Sequence, residues 1–267
     1  MPTLPATATD ALVLASIALR TKIAGCTVVA APGCPDYWFA NCLVLDREPE
    51  PALYPSWIAR HAGEVAGRRA QRRVVVWETA GQRLREPPAA AKSFEYGCST
   101  VFAVRGPPRR QGSFAHIREF DRPSDWPAAA ALERQQVSAD GQPSQADFVT
   151  WRFQLYRADA ERGRCRFWGA FADRELLAFA GLYADDLWAR FVTPITQPAF
   201  RRRGLFGALC NVGVGETLSS RPGTRVVIVA ARDDAAERIY LRLGFEPVGR
   251  QHALIAPVTD ASGATAP

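Results

Sequence analysis

Pro198-Ala-Phe-Arg-Arg-Arg-Gly-Leu-Phe-Gly-Ala-Leu-Cys210 is the stretch from which the fold of this chain can be inferred. Three consecutive arginines, Arg201 to Arg203, and Gly204 stand here between two segments of different character. The preceding run, residues 187–195, predicts a strand. The following run repeats apolar residues at i, i+3, i+4 and i+7, which predicts a helix through Leu205, Ala208, Leu209 and Val212. The stretch is therefore a strand-to-helix loop with a basic cluster at the helix start.

A basic cluster is unusual at this place in a helix. The N-terminus of a helix carries about half a positive charge, and each cation near it costs a few tenths to ~1 kcal/mol. Two arrangements would compensate this cost: an exposed, well-solvated cluster, or an anion held by the loop amides and the helix dipole. The missing Cβ of Gly204 would let a phosphate approach the backbone. The residues themselves leave both arrangements open.

Outward from this loop, the hydrophobic pattern predicts a mixed α/β chain. The second half is expected to contain strands at 113–120, 164–171, 176–183, 225–230 and 247–255, and helices at 127–136, 148–161 and 234–243. The first half is expected to contain helices at 11–19 and 52–66, and strands at 26–31, 37–45, 73–78 and 97–104. Gly244 is placed to end the last helix.

The two halves of the chain contain a pair of similar segments. The run RRVVVWET at residues 72–79 is similar to TRVVIVAA at residues 224–231. We interpret this as a degenerate internal repeat. With 267 residues, at about 150 residues per domain, the chain is expected to form two unequal lobes.

Composition excludes several classes of protein. Apolar residues make up 48% and charged residues 22%, which argues against disorder. The net charge of +6 is spread along the chain, so no nucleic-acid partner is expected. No apolar run is long enough to span a bilayer and no signal peptide is evident, so a soluble, cytoplasmic protein without a membrane partner is expected. Cysteines and histidines are too scattered for a metal site, and the cysteines are expected to be reduced and mostly buried.

The loop resembles a motif of the GNAT (GCN5-related) N-acetyltransferase superfamily. That motif, (Q/R)-x-x-G-x-(G/A), lies between a bulged strand and a helix, and Arg201, Gly204 and Phe206 fall on its first, fourth and sixth positions. A second family feature, a helix ending in Y-x-x-x-G-F, is matched by Tyr240 to Phe245. Upstream, the segment from Pro35 to Leu43 is similar to a signature of two-lobed GNAT proteins whose first lobe is degenerate.

The resemblance implies a GNAT acyl-CoA N-acyltransferase fold with a mixed sheet. It implies a complete GNAT domain at residues 113–258, a reduced GNAT-like lobe at residues 1–112 and a tail at residues 259–267. The first lobe lacks the phosphate loop and the tyrosine. It is therefore expected to shape the acceptor pocket or to serve as a structural partner.

The resemblance also implies a reaction, the acetylation of a small-molecule amine by acetyl-CoA without a metal. The main-chain N–H groups of Arg202 to Gly207 would bind the pyrophosphate, and main-chain groups near Ile195 and Thr196 would pair with the pantetheine arm. Tyr240 would protonate the departing thiolate as the general acid. The residues implied in cofactor binding are Ile195, Thr196, Arg201, Arg202, Arg203, Gly204, Leu205, Phe206, Gly207 and Asp233.

The sequence departs from the family pattern at several positions. Phe206 stands where Gly or Ala is usual, and its ring would either crowd the pyrophosphate or turn away along the helix. Pro194 removes one N–H donor from the strand, although a bulge tolerates proline. The strand has no Glu to act as a base, so deprotonation through water is expected, and Asp233 stands where Asn is frequent. These departures keep an alternative open: a non-catalytic acyl-CoA-binding or regulatory protein, in which Tyr240 is only a core residue.

Overall fold

The computed structural model describes residues 4–35, 37–65, 72–81, 94–106, 108, 115–139, 146–231 and 235–257. The mixed α/β class expected from the sequence is confirmed. The helices are α1 (Pro5–Leu14), α2 (Tyr54–Val65), α3 (Asp125–Ala139), α4 (Ala146–Glu161), α5 (Leu205–Ser220) and α6 (Ala235–Leu243). The strands are β1 (Leu19–Ile23), β2 (Cys26–Ala30), β3 (Asn41–Leu45), β4 (Arg72–Ala80), β5 (Glu95–Val104), β6 (His116–Glu119), β7 (Cys165–Ala172), β8 (Glu175–Ala184), β9 (Trp188–Thr196), β10 (Arg225–Ala231) and β11 (Glu246–Pro257).

The chain divides into two compact units that do not follow the boundary expected at residue 113. The first unit comprises Met1–Phe102, Val229–Glu237 and Pro247–Pro267, and the second comprises Ala103–Ile228 and Arg238–Glu246. The last strand, β11, belongs to the first unit from Pro247 onward, and it pairs antiparallel with β4 over Gly249–Pro257. Gly249 permits the close approach, since a Cβ there would lie 2.8 Å from the Thr79 carbonyl oxygen. The functional division into residues 1–112 and 113–258 stays a prediction.

The sheet of the first unit has the strand order β1-β2-β3-β4-β11-β5. The first three strands are antiparallel neighbours, whereas β3 and β4 are parallel and pair from Cys42–Val74 to Val44–Val76. Alternate residues of these strands point to opposite faces. One face packs on Tyr54 and Ile58 of α2, and the other packs on Leu14 of α1.

The N-terminal helix was predicted in the wrong place. A helix was expected at residues 11–19, but α1 ends at Leu14 and Leu19 already begins β1. All but the last residue of β1 are exposed, so burial in a core does not hold this edge strand in place. Its pairing with β2 is what makes it a strand.

The start of β3 was also predicted at the wrong residue. A strand was expected at residues 37–45, but residues 38–40 form a short 3-10 turn and β3 begins at Asn41. The buried Asn41 side chain holds this turn, because its oxygen accepts the N–H of Ala31 at 3.1 Å and its nitrogen donates to the carbonyls of Cys34 and Tyr37 at 2.8 and 3.1 Å. The hydrogen bonds of this polar side chain hold the preceding residues in a turn, so the strand begins later than its hydrophobic residues predict.

A buried histidine of the first unit makes its stability depend on pH. His252 of β11 stacks on Trp77 with ring centroids 5.2 Å apart, and its Nδ1 and Nε2 lie 2.7 and 3.1 Å from the hydroxyls of Tyr96 and Thr79. Burial, and then the nearby charge of Arg250, lower the pKa of His252 to about 4. The imidazole is therefore neutral in the folded protein at pH values where an unfolded histidine binds a proton.

This difference predicts a loss of stability in acid. Between an unfolded pKa near 6.5 and a folded pKa near 4, the unfolded chain binds more protons, so the free energy of unfolding decreases as pH falls. His252 should contribute a loss of about 2 kcal/mol between pH 7 and pH 5. Urea unfolding at both pH values should show this loss reduced in His252→Gln. The same loss should persist in a control, His116→Gln, which alters an exposed histidine; equal losses in the two variants would contradict the assignment.

The sheet of the second unit has the strand order β10-β9-β8-β7-β6. Neighbouring strands from β9 to β6 are antiparallel, whereas β10 runs parallel to β9. β8 is buried from Leu176 to Tyr183. Its Phe179 forms an aromatic core with Phe153, Tyr156 and Phe167. Helices α3 and α4 contact each other and lie between β6 and β7 in the chain, and α5 contacts β8 and β7.

The internal repeat inferred from the sequence has a structural counterpart. In each unit a strand, a helix and a second strand follow one another so that the two strands are parallel: β3-α2-β4 in the first and β9-α5-β10 in the second. The two similar sequence runs are β4 and β10. One difference between the two loops is the basic glycine-containing segment before α5, which the segment before α2 lacks.

Candidate functional site

The loop between β9 and α5 is built around left-handed backbone. Residues 198–200 form a 3-10 turn, Arg201 is extended, and Arg202 has φ +63°. Gly204 is the N-cap of α5 with φ +78° and ψ 4°, a conformation that costs a residue with a Cβ ~1 kcal/mol or more. Gly204 thus serves the turn itself, in addition to leaving room beside the backbone.

The turn leaves N–H groups at the start of α5. The first helical hydrogen bond runs from the N–H of Ala208 to the Gly204 carbonyl at 3.0 Å. The N–H groups of Leu205, Phe206 and Gly207 therefore have no acceptor within the helix, and they lie at the positive end of its dipole. This is the arrangement that binds phosphates and other anions at helix N-termini.

The three arginine side chains of the loop are exposed. The Nε of Arg201 donates to the Thr196 carbonyl at 3.4 Å, and the Arg203 guanidinium lies 5.2 Å from the centre of the Phe200 ring. Arg201 thus ties the loop to the end of β9. The exposed guanidinium groups fit both arrangements that the sequence leaves open, a solvated cluster and a rim around a bound anion.

A β-bulge interrupts β9 just before the loop. Phe179 of β8 is opposite Ile195 and Gly181 is opposite Val192, so β9 contains one residue more than its partner in this interval. Thr193 lies in the bulge with φ +44°, and Pro194 follows it. The proline is therefore accommodated where the regular ladder is already broken.

The pairing of β9 with β10 ends before the bulge is reached. Their pairing covers Trp188–Arg190 of β9 and Arg225–Val227 of β10, whereas β9 continues to Thr196. Among the described residues, no β10 pairing is present for the remainder of β9. Main-chain groups on this side of β9, up to Ile195 and Thr196, are thus placed where an extended ligand could add itself as a strand.

Tyr240 lies near the start of α5. It is on α6, which ends where Gly244 takes φ +93° and the Phe245 N–H bonds to the Tyr240 carbonyl at 3.0 Å. The tyrosine is 5% exposed, and its ring centroid lies 5.7 Å from that of Phe206 and 6.2 Å from that of Phe245. Two motifs far apart in the sequence therefore meet through a Phe206–Tyr240 contact.

The contact also shows which of the two expected directions the Phe206 ring takes. Its ring packs edge-on against Phe191 of β9, with centroids 6.1 Å apart, as well as against Tyr240. The ring has turned along the helix towards these aromatic neighbours. Sequence reasoning missed Phe191, since an alternating apolar residue on a strand carries no signal that distinguishes a site from a core.

The sequence places two acidic residues near the ends of these elements, Asp233 before α6 and Asp185 before β9. Asp233 lies outside the described residues. Asp185 precedes β9 at the end opposite Thr196, and its Oδ1 accepts the N–H groups of Leu187 and Trp188 at 2.8 and 2.7 Å. Asp185 therefore stabilises a turn, and β9 itself contains no carboxylate.

The structure thus brings together most of the residues selected from the sequence. Ile195 and Thr196 end the bulged strand, the loop follows directly, and Tyr240 contacts the ring of Phe206. Among the described residues there is no group of three or more His, Cys, Asp or Glu that could hold a metal ion. That the site works without a metal stays a prediction, as do the individual roles of its residues.

Residues 129–245 match the family model described as the acetyltransferase (GNAT) family. A search of curated protein sequences found no match to the chain. Within the described residues, no helix is both long and apolar enough to cross a bilayer.

Several solved structures share the fold. A conserved protein of unknown function from Staphylococcus epidermidis ATCC 12228 has a TM-score of 0.69 at 13% identity, over 89% of this chain and 92% of its own. A GCN5-related N-acetyltransferase from Kribbella flavida has a TM-score of 0.64 at 18% identity, over 96% and 95%. A tandem GNAT protein from the clavulanic acid biosynthesis pathway has a TM-score of 0.53 at 15% identity, over 81% and 75%. At such low identity, these similarities establish the fold alone.

Proposed function

Because residues 129–245 belong to the GNAT family of acetyltransferases, we propose that this protein transfers the acetyl group of acetyl-CoA to the amine of a small molecule. The observation that carries the proposal is the contact between Phe206 and Tyr240. It sets the free N–H groups at the start of α5, which suit a pyrophosphate, next to a buried phenol that can supply a proton.

The backbone would do most of the binding. The N–H groups from Arg202 to Gly207 would hold the pyrophosphate, and the exposed side chains of Arg201, Arg202 and Arg203 would add positive charge at the rim. Main-chain groups of Ile195 and Thr196 would pair with the pantetheine arm along the open side of β9. Asp233 belongs to the proposal as a further binding residue.

Tyr240 would act at the leaving group. In the proposed reaction the amine nitrogen attacks the thioester carbonyl carbon, main-chain N–H groups at the bulge stabilise the oxyanion, and the carbon–sulfur bond then breaks. The thiolate takes the phenolic proton of Tyr240. The excess proton of the new amide passes to water because β9 offers no carboxylate, and the Tyr240 phenolate takes a proton back from water, which restores the phenol. The contribution of a positioned acid of this kind is about 100-fold or more in rate.

The organisation of the chain enters the proposal as well. We assign the acetyltransferase domain to residues 113–258 and regard residues 1–112 as a degenerate lobe without its own transfer site, in a cytoplasmic protein. The first lobe lacks both a basic glycine loop before α2 and an equivalent of Tyr240.

Titration of the full-length protein with acetyl-CoA tests the proposal. Isothermal titration calorimetry should detect binding, and S-acetylpantetheine, which lacks the pyrophosphate, should bind at least about tenfold more weakly. Thiol release in the presence of a panel of amines should then identify acceptors. A folded sample that gives no heat with acetyl-CoA at high micromolar concentration would overturn the proposal.

A second function is favoured by one specific observation. Tyr240 is almost fully buried between the rings of Phe206 and Phe245, as a purely structural tyrosine would be. Together with the missing carboxylate on β9, this suits a non-catalytic acyl-CoA-binding or regulatory protein. Binding of acetyl-CoA without thiol release for any amine in the panel would favour this alternative.

A further inference from the structure

One face of the first sheet is only partly covered. Cross-strand pairing aligns Lys22, Thr27, Val44 and Val76 in a row across β1 to β4, so that their side chains share a face. Helix α1 covers the neighbouring residues of this face through Leu14, which belongs to the same apolar cluster as Val29, Cys42, Val74 and Val76. None of the described residues covers the remainder of the face beside the helix start.

A cavity of about 750 Å³ occupies this open part. Its floor includes Thr27 and Val44, and Leu4 and Thr7 at the start of α1 form a wall. The cavity reaches the carboxyl ends of β3 and β4, where Asp46 follows the parallel pairing and Glu78 lies near the end of β4. Crevices at the carboxyl ends of parallel strands are the usual ligand sites of α/β sheets, and this volume is typical of small-molecule pockets.

The negative charges of the two acidic residues that line the cavity are each stabilised by other groups of the protein. Glu78 is 6% exposed, and its two carboxylate oxygens accept the N–H groups of Ala6 and Thr7 at 3.1 and 2.9 Å, at the positive end of the α1 dipole. Asp46 forms an ion pair with Lys22. Neither carboxylate is thus available to attract a cation into the cavity.

Arg20 is the remaining charged residue in the lining of the cavity. It lies on β1 two residues before Lys22, lines the cavity, and forms no hydrogen bond or ion pair with any residue that the structure describes. An arginine at such a place can bind a carboxylate through two parallel hydrogen bonds. The rest of the lining offers apolar surface from Leu4, Val44, Leu45 and Ala80.

We propose that this cavity binds a small organic carboxylate with an apolar body, whose charged end is held by Arg20 and whose body lies over Val44. Every lining residue belongs to the first compact unit, so the site is additional to the loop before α5. The proposal does not depend on acetyl transfer. It gives the first lobe a ligand of its own although it lacks the phosphate loop.

Calorimetry with hexanoate as the probe tests this site in the full-length protein without acetyl-CoA. Hexanoate should bind, whereas hexanamide, which has the same length and no charge, should bind at least about tenfold more weakly. Hexyl phosphate tests the other common anion, and tighter binding of this probe than of hexanoate would overturn the assignment to a carboxylate. Equal binding of hexanamide, or no binding of hexanoate, would overturn it as well.

Substitutions of exposed arginines locate the binding. Arg20→Gln should weaken hexanoate binding at least about tenfold, and Arg20→Lys, which keeps the charge, should recover part of the loss. Arg47→Gln, which removes another exposed arginine of the same unit that does not line the cavity, should leave the affinity unchanged. Hexanoate binding that survives Arg20→Gln intact would place the ligand elsewhere and overturn the proposal. Acetyl-CoA affinity should be the same in all three variants, which separates this test from that of the transfer reaction.

Discussion

Gly204→Glu is expected to weaken acetyl-CoA binding by about 100-fold or more, the largest effect of any single substitution in the loop. Two causes act together. The glutamate would place a negative charge beside the N–H groups of Leu205 to Gly207, where the pyrophosphate is proposed to bind, and two like charges in contact cost several kcal/mol. A side chain at φ +78° also strains the turn. Isothermal titration with acetyl-CoA measures the loss directly.

Gly204→Gln separates the two causes. Glutamine has the size of glutamate and imposes the same strain at φ +78°, but it carries no charge. Its affinity for acetyl-CoA should lie between those of the natural protein and Gly204→Glu, with a loss of about tenfold or less. If both variants bind acetyl-CoA as tightly as the natural protein, the pyrophosphate does not lie at the start of α5.

Tyr240→Phe is expected to lower kcat about 100-fold while changing the acetyl-CoA affinity by less than about threefold. Phenylalanine keeps the ring that packs between Phe206 and Phe245, so the aromatic contacts survive. It removes the hydroxyl whose proton the thiolate is proposed to take. Steady-state thiol release with an acceptor from the amine panel gives kcat, and calorimetry gives the affinity.

Tyr54→Phe is the matched control for that experiment. Tyr54 is also a buried helical tyrosine with aromatic neighbours, since its ring centroid lies 5.7 Å from that of Trp77 in the first unit. Its substitution should leave kcat unchanged. An equal loss of kcat and of acetyl-CoA affinity in Tyr240→Phe would reassign Tyr240 to a structural role, and an unchanged kcat would exclude it as the general acid.

Much of the second unit could be predicted because its signals are local. The apolar spacing from Leu205 to Val212 predicts α5, and the Val-rich run after Arg225 predicts β10. Gly244 ends α6 because a left-handed residue closes a helix, which is a property of the backbone at that position alone. Such signals act within one or two turns of chain, so they can be recognised in a sequence without a partner.

The misplaced elements lie where long-range pairing decides the structure. β1 is a strand because β2 pairs with it, and all but the last of its residues are exposed. β11 joins β4 rather than completing the second unit, although the two strands are far apart in the sequence. Hydrophobic periodicity identifies which face of an element is buried, but it does not specify which neighbour buries it.

The sequence by itself therefore determines the strand–loop–helix order around Arg201 to Gly204, the glycine that ends α6 and the tyrosine of the same helix. Only the tertiary structure decides that the ring of Phe206 turns towards Phe191 and Tyr240, and that β9 bulges at Thr193 and Pro194. Side-chain direction and strand register result from packing against distant neighbours, so no local pattern encodes them. The loop could be predicted from adjacent residues. The proximity of the α5 start to Tyr240 could be seen only in the folded chain.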